Sequence, residues 1–266
     1  MNIKLLVCDI DGTLIPYTRD RITPTLKEAF DQAKAKGIEI LIATGRHYSF
    51  IHKSLFEDIN PDYLVTINGA CLVDKHGHVL ESHPISEEDL YKIWDLCKKH
   101  DIGLGFKFKE GVVGYHNYDK FYKGYVGDHD YGDAVSENPK EEDFHIQHGL
   151  PLGIFLIGDE TIIETFKELV PDLFFAWSYK DGYDVYPLGF SKAMAIETVL
   201  KMNHLTWDNV MSFGDAENDI EMLHCAKVGV AMGNAKPIVQ KEADFVTTSV
   251  DEDGIVFALK HFNIID

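Results

Sequence analysis

Along most of the chain, short apolar runs of strand length alternate with longer stretches of helical periodicity. Residues 3–10, 38–43, 63–67 and 210–213 are nearly unbroken apolar runs, the pattern of parallel strands covered on both faces. Between the first two, Thr23-Pro24 predicts a helix start with Pro at the first helical position, and Gly37 predicts its stop. Strand, helix and strand in this order predict an open parallel sheet with helices on both faces. A ligand site is then expected at the carboxyl ends of the strands.

The rhythm changes in the middle of the chain. Residues 70–83 read as a hairpin turning near Gly77, and Ser86-Glu87-Glu88-Asp89 then opens a helix through a capping pattern. In that helix Leu90, Ile93, Trp94 and Cys97 recur at helical spacing, which marks them as core. Residues 103–116 alternate in strand fashion, so Phe106 and Phe108 are expected to face a core while Lys107 and Lys109 face water or a cleft. Apolar runs resume at 152–157, and the parallel-sheet rhythm returns after Pro187. The prediction is an α/β fold: a Rossmann-like open parallel sheet core, 1–82 and 187–266, with an inserted α+β cap at 83–186. Residues 136–143 are the most linker-like stretch.

With 266 residues, 45% of them hydrophobic and 12% aromatic, the chain can form one large domain or two moderate ones. Its formal charge of −19 disfavours phosphate backbones and anionic lipid surfaces, so neither nucleic acid nor membrane is expected as a partner. A small phosphorylated substrate stays open, because a bound cation or a few local Lys and Arg can reverse the field inside one cleft. The first residues fit neither a signal peptide nor a transit peptide, since an apolar run with one Lys is interrupted at Asp9. Cys8, Cys71, Cys97 and Cys225 are scattered without a Cys-x-x-Cys pair, as expected of reduced, buried thiols in a cytoplasmic protein. His76-x-His78 and His145-x-x-His148 lack Cys or carboxylate partners at zinc-site spacing and read as solvated loop histidines. The Lys and aromatic residues of 106–109 could suggest a single-strand binder, but strand alternation accounts for them more simply.

The candidate chemistry gathers at predicted strand ends. Asp9-Ile10-Asp11-Gly12-Thr13 follows the first strand; residues two apart in an extended segment share a side, so the carboxylates of Asp9 and Asp11 can address one space. Two carboxylates so placed repel unless one protonates or a cation sits between them. Gly214-Asp215-Ala216-Glu217-Asn218-Asp219 follows another strand, and Asp215 and Asp219, four apart, are expected on one face of a helix's first turn. A calcium loop is excluded there, because its sixth position would be Ile220 and its twelfth Ala226. Thr44-Gly45-Arg46 offers a hydroxyl and backbone N–H groups suited to phosphate oxygens. Ser191-Lys192 opens a helix where an ammonium and a helix N-terminus both favour an anion.

In chain order, residues 9–13, 44–46, 191–192 and 214–219 resemble the four motifs of haloacid dehalogenase-like phosphatases. Ile67-Asn68-Gly69-Ala70, Ala231-Met232-Gly233-Asn234-Ala235 and Asp253-Gly254 resemble the Cof-type subfamily, whose large cap lies between the second and third motifs. The likeness covers roughly residues 3–83 and 184–262 and departs at Ala193, where the family commonly has Gly. It implies a Mg²⁺-dependent phosphatase acting on a small phosphorylated metabolite. Asp9 would be the nucleophile that forms an aspartyl-phosphate, and Asp11 the acid and base. Asp9, the backbone carbonyl of Asp11, Asp215 and Asp219 would make the metal site. Thr44 and Lys192 would join the catalytic set, and Ile10, Thr44, Gly45, Arg46, Lys192 and Asn218 would bind substrate. The alternatives are a phosphomutase of the same superfamily and a non-catalytic metabolite sensor. Asp11 argues against dehalogenation, which has no leaving alcohol to protonate. Specificity is expected in the cap, with either some of Tyr115, Tyr118, Tyr122 and Tyr125 or Trp177, Tyr179 and Tyr183 as candidate substrate contacts.

Overall fold

Every side chain of Leu5–Cys8 (β1) is buried, which follows from its place in the middle of a sheet covered on both faces. A computed structural model describes residues 1–127, 134–138, 144–178 and 180–266. Tyr179, and residues 139–143 of the linker-like stretch, lie outside the described residues. The chain divides into two units. One comprises Met1–Thr44, Ile51–Leu80 and Ser191–Asp266, and the other Gly45–Phe50 and Glu81–Phe190.

In the first unit β1 pairs in parallel with Glu39–Ala43 (β2) on one side and Val210–Gly214 (β12) on the other. Tyr63–Thr66 (β3), Cys71–Asp74 (β4) and Val79–Ser82 (β5) extend the sheet beyond β2, while Val228–Ala231 (β13) and Phe245–Val246 (β14) extend it beyond β12. The β3–β4 pair is antiparallel, so the sheet is parallel in its centre and mixed at one end. Chain order runs outward in opposite directions from β1, and such a switch opens a crevice at the carboxyl ends of the central strands. Pro24–Ala35 (α1) begins as the sequence predicts: Thr23 Oγ1 accepts from the Leu26 N–H at 3.1 Å and Pro stands at the start. On one face, Leu5 and Val7 pack with Ile196, Val199 and Leu200 of Lys192–Met202 (α7).

The second unit is built on the antiparallel strands Gly103–Lys107 (β6), Val112–His116 (β7), Gly153–Ile157 (β9), Leu173–Trp177 (β10) and Gly182–Pro187 (β11), with Val135–Glu137 (β8) paired in parallel to β7. Period-2 alternation sends Ile154 and Leu156 of β9 into one apolar cluster, with Leu90, Ile93 and Cys97 of Glu87–Lys99 (α3). Phe155 and Ile157 go into another, with Phe121 of Tyr118–Tyr125 (α4) and with Phe50.

The two units differ from the domain boundaries expected from sequence at residues 81–82 and 187–190, which fall in the second unit, and in Gly45–Phe50, which packs with the second unit. Phe50 joins its apolar cluster, His47 Nε2 meets the Phe108 carbonyl at 2.6 Å, and Lys107 Nζ donates to the Gly45 carbonyl at 3.2 Å. Lys107 corrects the expectation that it faces water or a cleft. It is buried, and its ammonium pairs with the Asp184 carboxylate across β9. His145 is likewise not a solvated loop residue. It is buried between the hydroxyls of Tyr91, 2.9 Å from Nε2, and Tyr115, 3.1 Å from Nδ1. Cys8, Cys71 and Cys97 are buried, Cys225 is exposed, and among the described residues none of the four is in a disulfide. Among the described residues, no helix is long and apolar enough to cross a membrane.

His47 gives this unit a pH-dependent weakness. Its Nε2 must carry the proton given to the Phe108 carbonyl, and its Nδ1 accepts from the Ser49 N–H at 3.1 Å, so the folded ring is neutral. Burial, reinforced by the Lys107 charge and opposed by the bond to Phe108, lowers its pKa to about 4. The unfolded ring titrates near 6.5 and takes up the proton first. The stability it contributes is therefore complete above pH ~6.5 and lost as pH falls toward 4, by up to about 3 kcal/mol. Thermal unfolding from pH 7.5 to 4.5 should show a decline that His47→Gln, which cannot gain that proton, flattens by one proton's worth. Parallel pH dependences in the two proteins would contradict this.

Candidate active site

The site is assembled at the carboxyl ends of β1, β12 and β2 and at the start of α7. Asp9 continues β1, its N–H bonded to the Phe213 carbonyl at 3.1 Å, and its side chain is buried. Asp215 immediately follows β12. Asp219 lies in a 3₁₀ turn, Glu217–Asp219, before the helix Ile220–Cys225 (α8). Asp215 and Asp219 thus do not share the first turn of a helix, which corrects the sequence expectation. They meet because the turn folds back: Asp219 Oδ2 accepts from the N–H groups of Asp215 and Ala216, each at 3.0 Å.

Ligand oxygens of Asp9, Asp215 and Asp219 lie within 4.8 Å of one another. The Lys192 ammonium bridges two of these acids, donating to Asp9 Oδ1 at 2.6 Å and Asp219 Oδ1 at 2.7 Å. Its place follows from the sequence: Ser191 caps α7 by accepting from the Met194 N–H at 3.3 Å, which sets Lys192 at the first helical position. Thr13 Oγ1 donates to Asp215 Oδ1 at 2.8 Å. Gly12 is required between them. Its φ is +85°, and a Cβ there would stand 2.3 Å from Asp215 Oδ2.

The electrostatics follow from crowding anions in a buried place. Burial pushes the Asp9 carboxyl well above its ordinary range; Lys192 opposes this, and the charges of Asp219, Asp215 and Asp11 add to it. Asp215 is pushed up to about 7, by burial first and then by Asp219, against the pull of the Thr13 hydrogen bond and Lys192. Lys192 is held charged, its pKa raised by Asp219 and Asp9 although burial acts the other way. Among the described residues no hydrogen bond reaches Asp9 Oδ2 or Asp215 Oδ2. Hard oxygen donors lacking a proton partner, on carboxyls whose charge is disfavoured, fit a hard divalent cation.

The other predicted residues are placed as follows. Asp11 is half-buried beyond Asp9; its charge acts on Asp9 and Asp215, but its carboxylate lies outside the three-acid group. Ile10 has a wholly buried side chain, and its carbonyl accepts from the N–H groups of Thr13, Leu14 and Ile15, so it holds the turn after β1. Thr44, at the end of β2, is buried and its N–H bonds the Val65 carbonyl at 2.8 Å. Asn218 Nδ2 donates to Asn68 Oδ1 at 2.9 Å. Gly45 and Arg46 belong to the second unit, where Arg46 Nη1 donates to the Phe50 carbonyl at 2.8 Å.

Three contributors to the site had no role assigned from sequence: Thr13, Asn68 and Asn234. Asn234 donates from Nδ2 to the Gly12 carbonyl at 2.8 Å and accepts at Oδ1 from the Val250 N–H at 2.8 Å, tying the Asp11–Thr13 turn to a distant loop. The signal was present as a short polar side chain beside a glycine in each case, but the partners lie far away in sequence. Among the described residues, the histidine pairs join no group of metal-ligating side chains.

Comparison with known proteins agrees with this geometry. The family model of haloacid dehalogenase-like hydrolases matches residues 6–259. The chain is 30% identical over 265 residues to the 5-amino-6-(5-phospho-D-ribitylamino)uracil phosphatase YcsE of Bacillus subtilis strain 168, spanning 98% of this chain and 96% of that protein. It is 26% identical over 278 residues to the pyridoxal phosphate phosphatase YbhA of Escherichia coli K12, spanning 96% of this chain and 97% of that one. A solved sugar phosphatase of subclass IIB of the superfamily superposes with a TM-score of 0.85 at 31% identity, over 98% of this chain and 100% of its own. With its acidic strand ends and the lysine that bridges them, the chain belongs to the haloacid dehalogenase-like hydrolase family, as one of its phosphatases acting on phosphoric monoesters.

Proposed function

We propose that this phosphatase hydrolyses a small phosphorylated metabolite, a sugar phosphate or a phosphorylated cofactor, with Mg²⁺ bound and through an aspartyl-phosphate on Asp9. The observation that carries the reading is the buried group of Asp9, Asp215 and Asp219 with Lys192 bridging two of its members. Asp9 attacks phosphorus through a carboxylate oxygen as the bond to the alcohol oxygen breaks, and Asp11 gives that oxygen its proton. Asp11 then takes a proton from the water that cleaves the aspartyl-phosphate, so both groups return to their starting states. Lys192 opposes the burial that disfavours the Asp9 anion, and Asp219 keeps Lys192 in place. Thr44, Lys192, Asn218 and the Ile10 turn hold the phosphoryl group; Gly45 and Arg46, which continue from Thr44, are substrate contacts by resemblance. Held by Asp9, the Asp11 carbonyl, Asp215 and Asp219, Mg²⁺ supplies charge neutralisation and Lewis-acid polarisation of the phosphoryl oxygens. The substrate class is supported by relatives that act on a phosphoribitylamino-uracil, on pyridoxal phosphate and on sugar phosphates.

The test is phosphate release from a panel of phosphorylated metabolites, ranked by kcat/KM, with Mg²⁺ and after EDTA treatment. The expected result is steady release on one chemical class of substrate, reduced at least ~100-fold by EDTA and restored by Mg²⁺. Full activity in EDTA would remove the metal from the reading. Tight binding of a phosphorylated compound without turnover across the panel would replace catalysis by metabolite sensing.

A further inference from the structure

The turn between β3 and β4 contains Ile67, Asn68 and Gly69, at φ of +52°, +53° and +104°. Left-handed backbone is uncommon outside glycine and is an outlier for a β-branched residue such as Ile67. A run of this kind persists only where its surroundings hold it. All three residues are buried, and what surrounds them is the site. The Asn68 N–H donates to the Thr44 carbonyl at 3.1 Å, and Asn68 Oδ1 accepts from Asn218 Nδ2 at 2.9 Å. Gly69 lies so close to the start of α7 that a Cβ on it would stand 2.1 Å from the Ser191 carbonyl oxygen and 3.2 Å from the Lys192 nitrogen. One short turn therefore touches the segment after β2, the helix start that carries Lys192 and the turn after β12.

We infer that Asn68 is a positioning residue for phosphoryl transfer: its side chain orients the Asn218 amide and its backbone fixes Thr44, with the Gly69 contact setting the approach of Lys192. The inference rests on the proposed phosphoryl-binding roles of Thr44, Lys192 and Asn218. The Asn68 side chain reaches none of the carboxylates of the acidic group; its acceptor is used by Asn218. Its strained conformation is what lets one residue present its N–H to Thr44 and its side chain to Asn218 at once. Asn tolerates left-handed backbone better than other non-glycine residues, which suits it to this position.

The experiment compares Asn68→Gly, Asn218→Ala, the double variant and Asp9→Asn, using p-nitrophenyl phosphate as substrate with saturating Mg²⁺. Glycine accepts the same backbone, so Asn68→Gly removes the amide alone. It should lower kcat roughly 10- to 100-fold, the loss expected when a transition-state contact is misplaced. KM should change less than kcat, and the melting midpoint should stay within a few degrees of the parent. The double variant should be no slower than Asn218→Ala, because Asn68 acts through Asn218. Asn68→Asp, which keeps the acceptor for Asn218, should recover kcat at saturating substrate relative to Asn68→Gly. Parent-like kcat in Asn68→Gly, additive losses in the double variant, or equal kcat in Asn68→Asp and Asn68→Gly would each overturn the inference. Turnover persisting in Asp9→Asn would instead overturn the nucleophile on which the phosphoryl site is built. The two failures are therefore told apart in one series.

Discussion

Asp9→Asn is expected to abolish hydrolysis of p-nitrophenyl phosphate, by at least about 10⁴-fold, in a protein that melts within a few degrees of the parent. The loss follows from the chemistry: an amide oxygen does not attack phosphorus to give a stable acyl-phosphate, and no second carboxylate takes over the same position. The retained stability follows from the geometry. Removing one member of a buried ion pair is ordinarily severe because it strands a charge. Here Lys192 keeps Asp219 at 2.7 Å, and the amide oxygen can replace Asp9 Oδ1 as acceptor. The substitution also removes a carboxylate whose ionisation is opposed by burial and by Asp219, Asp215 and Asp11. These effects have opposite signs, and the net change in stability should be within about 1 kcal/mol. Circular dichroism melts and phosphate-release assays on the same preparation check both halves. Retained turnover would sink the nucleophile assignment, and an unfolded variant would show that Asp9 is needed for structure as well.

The parts of this site that could be read in the sequence are those whose partners are supplied by regular structure. Asp9 after β1, Thr44 after β2 and Asp215 after β12 follow apolar runs whose parallel pairing brings their ends together, and Lys192 follows a capping serine. What could not be read depends on turns between distant segments. The spacing of Asp215 and Asp219 suggested a shared helix face, but the chain makes a 3₁₀ turn first and Asp219 reaches back to the Asp215 N–H. Lys107 read as facing water or a cleft because period-2 alternation reports only which side of a strand a residue takes. It does not report that Asp184 waits two strands away on that side. Asn68 stood in the sequence as one residue of Ile67-Asn68-Gly69-Ala70, with nothing to say that Thr44 and Asn218 would be its partners. Gly45–Phe50 packs with the second unit through His47 and Phe50, contacts to residues more than sixty positions away that no local pattern could announce.

Lys192→Met should have the largest effect on stability and remove activity as well. Methionine keeps most of the aliphatic length and the helix start, so the change isolates the ammonium. In the parent that charge, 1% exposed, is shared between Asp9 and Asp219, in a group whose three carboxylates have oxygens within 4.8 Å of one another. Without it these acids keep the hydrogen bonds from Thr13 and from the Asp215 and Ala216 N–H groups, but no cationic side chain touches them among the described residues. A buried pair broken on one side loses about 3–5 kcal/mol, which for a chain of this size lowers the melting midpoint by roughly 10 °C. The same reasoning fixes the response to a second change. In Lys192→Met, adding Asp9→Asn removes one of the stranded charges and should return part of the loss, so the double variant melts above Lys192→Met. Mg²⁺ should likewise raise the midpoint of Lys192→Met more than that of the parent, since the cation then offsets charge that nothing else offsets. If Lys192→Met melts within about 2 °C of the parent, or if the double variant melts below it, the ammonium is not what holds these carboxylates together.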